Sequence, residues 1–305
     1  MTQDIPARPD MIGGVSTPPL AILPRPARLF AARADRFAHL AEGSRLAPYL
    51  RFMADLTRAQ ADLAGSLPPV APLSPDRVAL ARASRMPPID RHAVLDDPGL
   101  AATLDALIAA ARAIAMPAPA RLALDALADA APEDRRWLVA NVLDDAIPAD
   151  SVAPHLFVAA AVQLHLARLA ATLDSGDLVA IRTGVCPACG GKPAASVVTG
   201  VMGAEGARYA ACAGCQTLWN EVRVKCLSCG STKGIAFQSV DDGTEGAQIK
   251  AETCDACDTW VKQMDQHKNP SLDPIADDVA SLGLDALMRD GRWRRGGFDP
   301  FLTGY

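Results

Sequence analysis

Eight cysteines, grouped as four C-x-x-C pairs, constrain this chain more than any other feature: Cys186/Cys189, Cys212/Cys215, Cys226/Cys229 and Cys254/Cys257. The first 185 of its 305 residues contain no cysteine. Two residues between cysteines let a tight turn present both sulfurs to one metal ion, and a second such knuckle completes a tetrahedron. Four pairs therefore make two four-sulfur sites with no cysteine left over. Gly190 and Gly230 directly follow the second cysteine of their pairs. There a residue without Cβ lets backbone N–H groups turn toward the thiolates and offset their charge.

In sequence order, 22 residues separate the knuckles of the first site, 24 those of the second, and ten join the two sites. Near-equal intervals suggest a duplicated module. Each interval is long enough for a β-hairpin, with Val197-Val198 and Tyr209 in the first and Ile235-Ala236-Phe237 and Ile249 in the second. Local closure costs less chain entropy than threading, which favours consecutive pairing, although spacing alone leaves crossed pairings open.

Competing chemistries fit less well. A disulfide framework needs an exported chain, yet Met1 to Asp10 lacks a basic region followed by an apolar run, so the expectation is a cytoplasmic protein. A dithiol oxidoreductase uses one C-x-x-C at the start of a helix, whereas these pairs sit among strand and turn residues. A zinc-ribbon adaptor for nucleic acid shares the knuckles but needs positive charge. The chain carries 30 Lys plus Arg against 35 Asp plus Glu, and from residue 180 onward the balance is 13 against 15. Four thiolates around a divalent ion add about −2 more per site. Arg223, Lys225 and Lys233 form at most a local basic patch, so a protein surface is the expected partner. Tetrahedral thiolate sites accept iron or zinc, and the ligands do not decide between them. His267 is expected at the surface, and His155 and His165 in the core or at its rim. No acid/base, nucleophile or phosphate-binding set accompanies them, so no catalytic residue is assigned.

Composition changes near residue 180, where an Ala/Leu/Arg-rich stretch gives way to cysteine, glycine and β-forming residues; all six Lys lie at 192 or later. The expected organisation is a Pro-rich extended arm over 1–26, a helical domain over 27–180, and metal modules over 181–222 and 223–305, the last with a C-terminal helix and tail. Helical periodicity predicts helices over 27–41, 46–63, 76–84, 98–115, 118–130, 133–145 and 151–174. Arg28, Arg33 and Arg36 lie off the apolar stripe of the first and read as an ordinary solvated face. Gln163, His165 and Arg168 interrupt the apolar run 156–173, so a buried helix is expected there and no membrane span. Asp277 and Asp278 diverge on a helix and read as caps for a helix through Ala280 to Leu287. Arg292, Arg294 and Arg295 read equally as a partner contact or a solvated tail.

The knuckles and their surroundings resemble the formate dehydrogenase accessory protein family, FdhE. The residues that carry the resemblance are Cys186-Pro187-Ala188-Cys189-Gly190, Arg208-Tyr209 before Cys212-Ala213-Gly214-Cys215, and Trp219 leading into Val222-Arg223-Val224-Lys225-Cys226. Lys250-Ala251-Glu252-Thr253-Cys254 with Cys257, the run Ala276 to Leu282 with Leu284-Asp285, and Asp299-Pro300-Phe301-Leu302 complete it, with Asp299 standing where the family's ending has Asn. Arg33 to Leu40 and Tyr49 to Gln60 resemble its opening helices. The resemblance implies an α+β multidomain fold: an all-α N-terminal bundle, two small rubredoxin-like or zinc-ribbon-like modules and a C-terminal helix. It implies that the eight cysteines are the ligands, with iron the family's associated metal. It further implies a cytoplasmic, non-catalytic protein that binds the catalytic subunit of a respiratory molybdenum formate dehydrogenase during maturation. A homodimer stays open.

Overall fold

The computed structural model describes residues 18–200, 204–240 and 246–302. Its first half is helical. α1 (Pro26–Leu40) opens on a proline, whose missing N–H is no loss at a helix start, and buries Phe30, Ala34 and Phe37 along one stripe. α2 (Ala47–Ser66) packs along it with Leu50, Met53, Leu56 and Gln60. α3 (Pro75–Ala83), the short α4 (Arg91–Val94) and α5 (Pro98–Ala111) are capped by Ser74, Asp90 and Asp97, whose side chains accept first-turn N–H groups. α6 (Ala118–Asp129) and α7 (Pro132–Leu143) follow. Each of the seven predicted helices is present, ending within four or five residues of expectation.

α8 (Val152–Ala170) is the core of this half, covered by α2, α5, α6 and α7. By length and composition it would span a membrane, but 72% of its apolar window is buried inside the protein. Its polar residues are used internally. His155 lies near the Ser151 carbonyl, and His165 Nε2 is 3.1 Å from Asp97 Oδ2. Both histidines are thus buried, as expected.

The second half is one mixed sheet. Each module forms an antiparallel three-stranded meander: β2 (Pro193–Val198), β3 (Arg208–Cys212) and β4 (Leu218–Glu221), then β5 (Ile235–Gln238), β6 (Ile249–Cys254) and β7 (Thr259–Asp265). The modules do not stand apart: β2 and β7 pair in parallel, Ser196 opposite Gln263 through Val198 opposite Asp265. β1 (Ala21–Ile22), expected in a free arm, adds to β4, and Tyr209 donates to the Pro19 carbonyl at 2.8 Å. The rest of that arm, 1–17, lies outside the described residues. β8 (Arg294–Arg295) pairs with the start of β7, giving the order β1-β4-β3-β2-β7-β6-β5 with β8 beside β7.

The C-terminal helices α9 (Ala276–Ala280) and α10 (Leu282–Arg289) fold back onto both halves. This overturns three expectations about charge. Arg33, only 2% exposed, donates to Asp273 and to Gln216, both at 2.8 Å, and Arg36 grips Asp277 through two hydrogen bonds of 3.0 and 2.6 Å. Their helix face is an internal dock, and Arg28 alone of the three is exposed. Neither aspartate caps the helix through Leu287: Asp273 accepts the N–H groups of Ile275 and Ala276 at the start of α9, at 2.9 and 2.8 Å, and Asp277 reaches back to accept the Asp273 N–H at 2.7 Å. Asp278 instead sits fully buried between Lys262 and Arg295. Arg295 therefore belongs neither to a solvated tail nor to an outside partner, whereas Arg292 pairs at the surface with Asp255.

Candidate metal centres

The sulfurs converge in two groups, Cys186/Cys189/Cys212/Cys215 and Cys226/Cys229/Cys254/Cys257, with all four Sγ of each within 4.8 Å of one another. Consecutive knuckles come together. In the first, Cys186 and Cys215 are 3.6 Å apart and Cys189 and Cys212 3.5 Å; in the second, Cys226–Cys257 and Cys229–Cys254 are both 3.7 Å. A tetrahedron with metal–sulfur bonds of about 2.3 Å has edges of about 3.8 Å, whereas a disulfide bond is about 2.05 Å long. The donor set and its spacing thus fit a single tetrahedral ion in each group.

Backbone turns build this geometry twice. Cys186 N–H donates to the Gly191 carbonyl at 3.0 Å and Gly190 N–H to the Cys186 carbonyl at 2.8 Å; Cys226, Ser231 and Gly230 repeat the pattern at 2.8 and 3.0 Å. Gly190 and Gly230 have φ of +76° and +80°, the left-handed region that favours glycine. The residues at the same place in the other knuckles, Gln216 and Asp258, are left-handed too, at +64° and +51°. Cys212 ends β3 and Cys254 ends β6, so the duplication holds in register. A further repeat escaped the sequence reading although it is legible there. Both second knuckles read C-x-x-C-x-T, and Thr217 Oγ1 and Thr259 Oγ1 lie 3.2 and 3.1 Å from the sulfurs of Cys215 and Cys257. A hydroxyl so placed donates to a thiolate.

Electrostatics prepares both groups for a cation. Burial pushes the thiols of Cys186 and Cys212 well up. Cys189 is drawn well down by hydrogen bonds from Cys186, Cys212 and Cys215, with Arg91 assisting. In the second group burial opposes ionisation of Cys226, yet the N–H groups of Cys229 and Ser228, 3.5 and 3.3 Å from its sulfur, bring it down to about 7. Burial pushes Cys257 up to about 12. One thiolate in each group is favoured while others keep their protons, which a binding metal ion displaces.

The surroundings of the two groups differ. All four cysteines of the first are buried in the main core beside α8. Ile89 N–H donates to the Ala188 carbonyl at 3.1 Å and Gln163 Nε2 to the Ala213 carbonyl at 2.8 Å, tying one knuckle to α4's approach and the other to α8. In the second group Cys229 is exposed and Cys257 half-buried, and Val222 and Val224 stand exposed on the segment between β4 and the group. His267 is exposed and belongs to neither group. The local basic patch is dispersed: Lys225 pairs with Glu221 at 3.0 Å and Arg223 reaches the Gly206 carbonyl.

Models of the FdhE N-terminal, central and C-terminal domains match residues 18–183, 185–223 and 224–302. The chain belongs to the FdhE family. Among FdhE proteins, it is 56% identical to the Protein FdhE homolog of Rhizobium meliloti (strain 1021) over 97% of each chain. It is 35% identical to Protein FdhE of Escherichia coli (strain K12) over 93% of this chain and 91% of that one. The crystal structure of the FdhE protein from Pseudomonas aeruginosa superimposes with a TM-score of 0.84 at 33% identity, covering 93% of this chain and 99% of that one. The bundle and the sheet described above are thus an FdhE architecture.

Proposed function

We propose that this FdhE-family chain is a non-catalytic, cytoplasmic accessory protein of formate dehydrogenase maturation. It binds the catalytic subunit of a respiratory molybdenum enzyme before that subunit is complete and exported. Its eight cysteines, Cys186, Cys189, Cys212, Cys215, Cys226, Cys229, Cys254 and Cys257, hold two iron or zinc ions. The observation that carries this reading is the pair of four-sulfur groups on one sheet, one sealed in the core and one facing outward among exposed apolar side chains. Each metal ion, when bound, supplies a cross-link between two knuckles, so its binding energy becomes folding energy for the surface around it. The residues do the rest: Val222 and Val224 on the segment leading to Cys226, and Phe237 on β5, offer exposed apolar contact, and the net charge of −5 disfavours a phosphate backbone.

The test is a pull-down of the formate dehydrogenase catalytic subunit with the Cys226→Ala/Cys229→Ala variant. The subunit should be lost from the variant while circular dichroism reports intact N-terminal helices. Retention of the subunit with the second metal absent would reject the docking role of that module.

A further inference from the structure

The first cysteine group has a charged neighbour that comes from the helical half. Arg91 opens α4, and its guanidinium is held from behind by Asp145, Nη1 donating to Oδ2 at 2.9 Å and Nη2 to Oδ1 at 2.7 Å. Nη2 also donates to the Val142 carbonyl at 3.1 Å. Asp145 is itself fixed: it follows α7 in a left-handed conformation, φ +52°, and accepts the Lys192 N–H at 3.0 Å. The guanidinium also lies close to the sulfurs. A methyl group on Gly191 would lie 2.7 Å from Arg91 Nη1 and 3.4 Å from Sγ of both Cys189 and Cys212, which puts that nitrogen within about 6 Å of each sulfur. Gly191 therefore keeps clear the space between a cation and two metal-binding thiolates.

A buried ion pair by itself contributes little to stability, because desolvation offsets the attraction. This one brings its cation close to a group that carries about −2 when four thiolates hold a divalent ion. The second group is open to water, which screens its charge, and the first is not. The geometry points to Arg91 as the countercharge of the first metal centre, a positioning residue that holds the ion in place and that Asp145 aims. The helical half thus takes part in metal retention, although every ligand comes from the sheet half. This rests on the reading of the first four cysteines as metal ligands.

The experiment uses the full chain loaded with zinc(II) and challenged with EDTA. Cysteine alkylation over time, read peptide by peptide in a mass spectrometer, reports release from each centre separately. Arg91→Gln should release the first centre's ion at least about tenfold faster, within the range typical of lost outer-shell partners, and leave the second centre unchanged. Arg91→Lys should stay within about threefold of wild type. Arg91→Gln leaves Asp145 buried and unpaired, so the double variant Arg91→Gln/Asp145→Asn separates the causes. It stays fast if Arg91 acts on the metal, and returns to the wild-type rate if Arg91 only satisfies Asp145, which would overturn the assignment. Should the single variant misfold, the double variant carries the test. Wild-type release from Arg91→Gln would also overturn it. A wild-type chain that binds no ion at the first four cysteines would instead overturn the ligand reading on which the assignment stands.

Discussion

Asp299, buried near the end of the chain, has a physical account in its neighbours. Its carboxyl is pushed well up by burial and by the charge of Asp278. Asp278, despite its own burial, is held down by Arg295 and Lys262. The protonated form of Asp299, which hydrogen-bonds to Asp278, is thereby favoured, while its Oδ1 accepts the Phe301 N–H at 2.9 Å. An asparagine would make the same two bonds without titrating. Because the folded-state pKa lies above the unfolded one, this group's stabilisation is complete at acid pH and is lost as pH rises through the folded value. Asp299→Asn should match wild type in urea denaturation near pH 4 and exceed it by at least about 1.4 kcal/mol by pH 8, the linkage equivalent of a tenfold change in proton affinity. A variant less stable at pH 8 would refute the shared proton. At this scale the cysteines and knuckle glycines were legible, because the chemistry is local to four residues. Arg91 was not, since its partner Asp145 is 54 positions away.

Among the elements, α1 shows how far periodicity reaches. Its apolar stripe identified the helix and its buried side, yet Arg33 and Arg36 looked like solvated charges because the aspartates that receive them lie 240 and 241 positions away. Nothing in a helical pattern announces such a return of the chain. The consequence is a latch between α1 and α9. Arg36→Ala would leave the buried Asp277 without its counter-ion and should cost about 3 kcal/mol, the usual penalty for a broken buried pair. Arg36→Met/Asp277→Leu should recover most of that loss. Equal stability of Arg36→Ala and wild type in chemical denaturation would show the latch to be inert. The helices themselves followed from prolines and capping residues at their starts, while the four-residue α4 was too short to leave a period.

Over the whole molecule, duplication explains the paired three-stranded modules, and the equal cysteine intervals revealed it. The fusion of the modules through parallel β2 and β7, the return of β1 to β4, and the burial of the first centre beneath α8 were not written in any local pattern. β2 and β3 are buried at every position, so both faces of the first meander need cover, and α8 with the C-terminal helices supplies it. The result is an unequal pair of centres, the first sealed between the sheet and the helical half and the second more open to solvent. The central claim is that both groups hold metal. Native mass spectrometry of the anaerobically purified full chain, followed over time in EDTA, tests it most directly. The chain should carry two metal ions and lose them in order, the ion of Cys226, Cys229, Cys254 and Cys257 first. A metal-free chain whose mass is lowered by cysteine–cysteine bonds would contradict it.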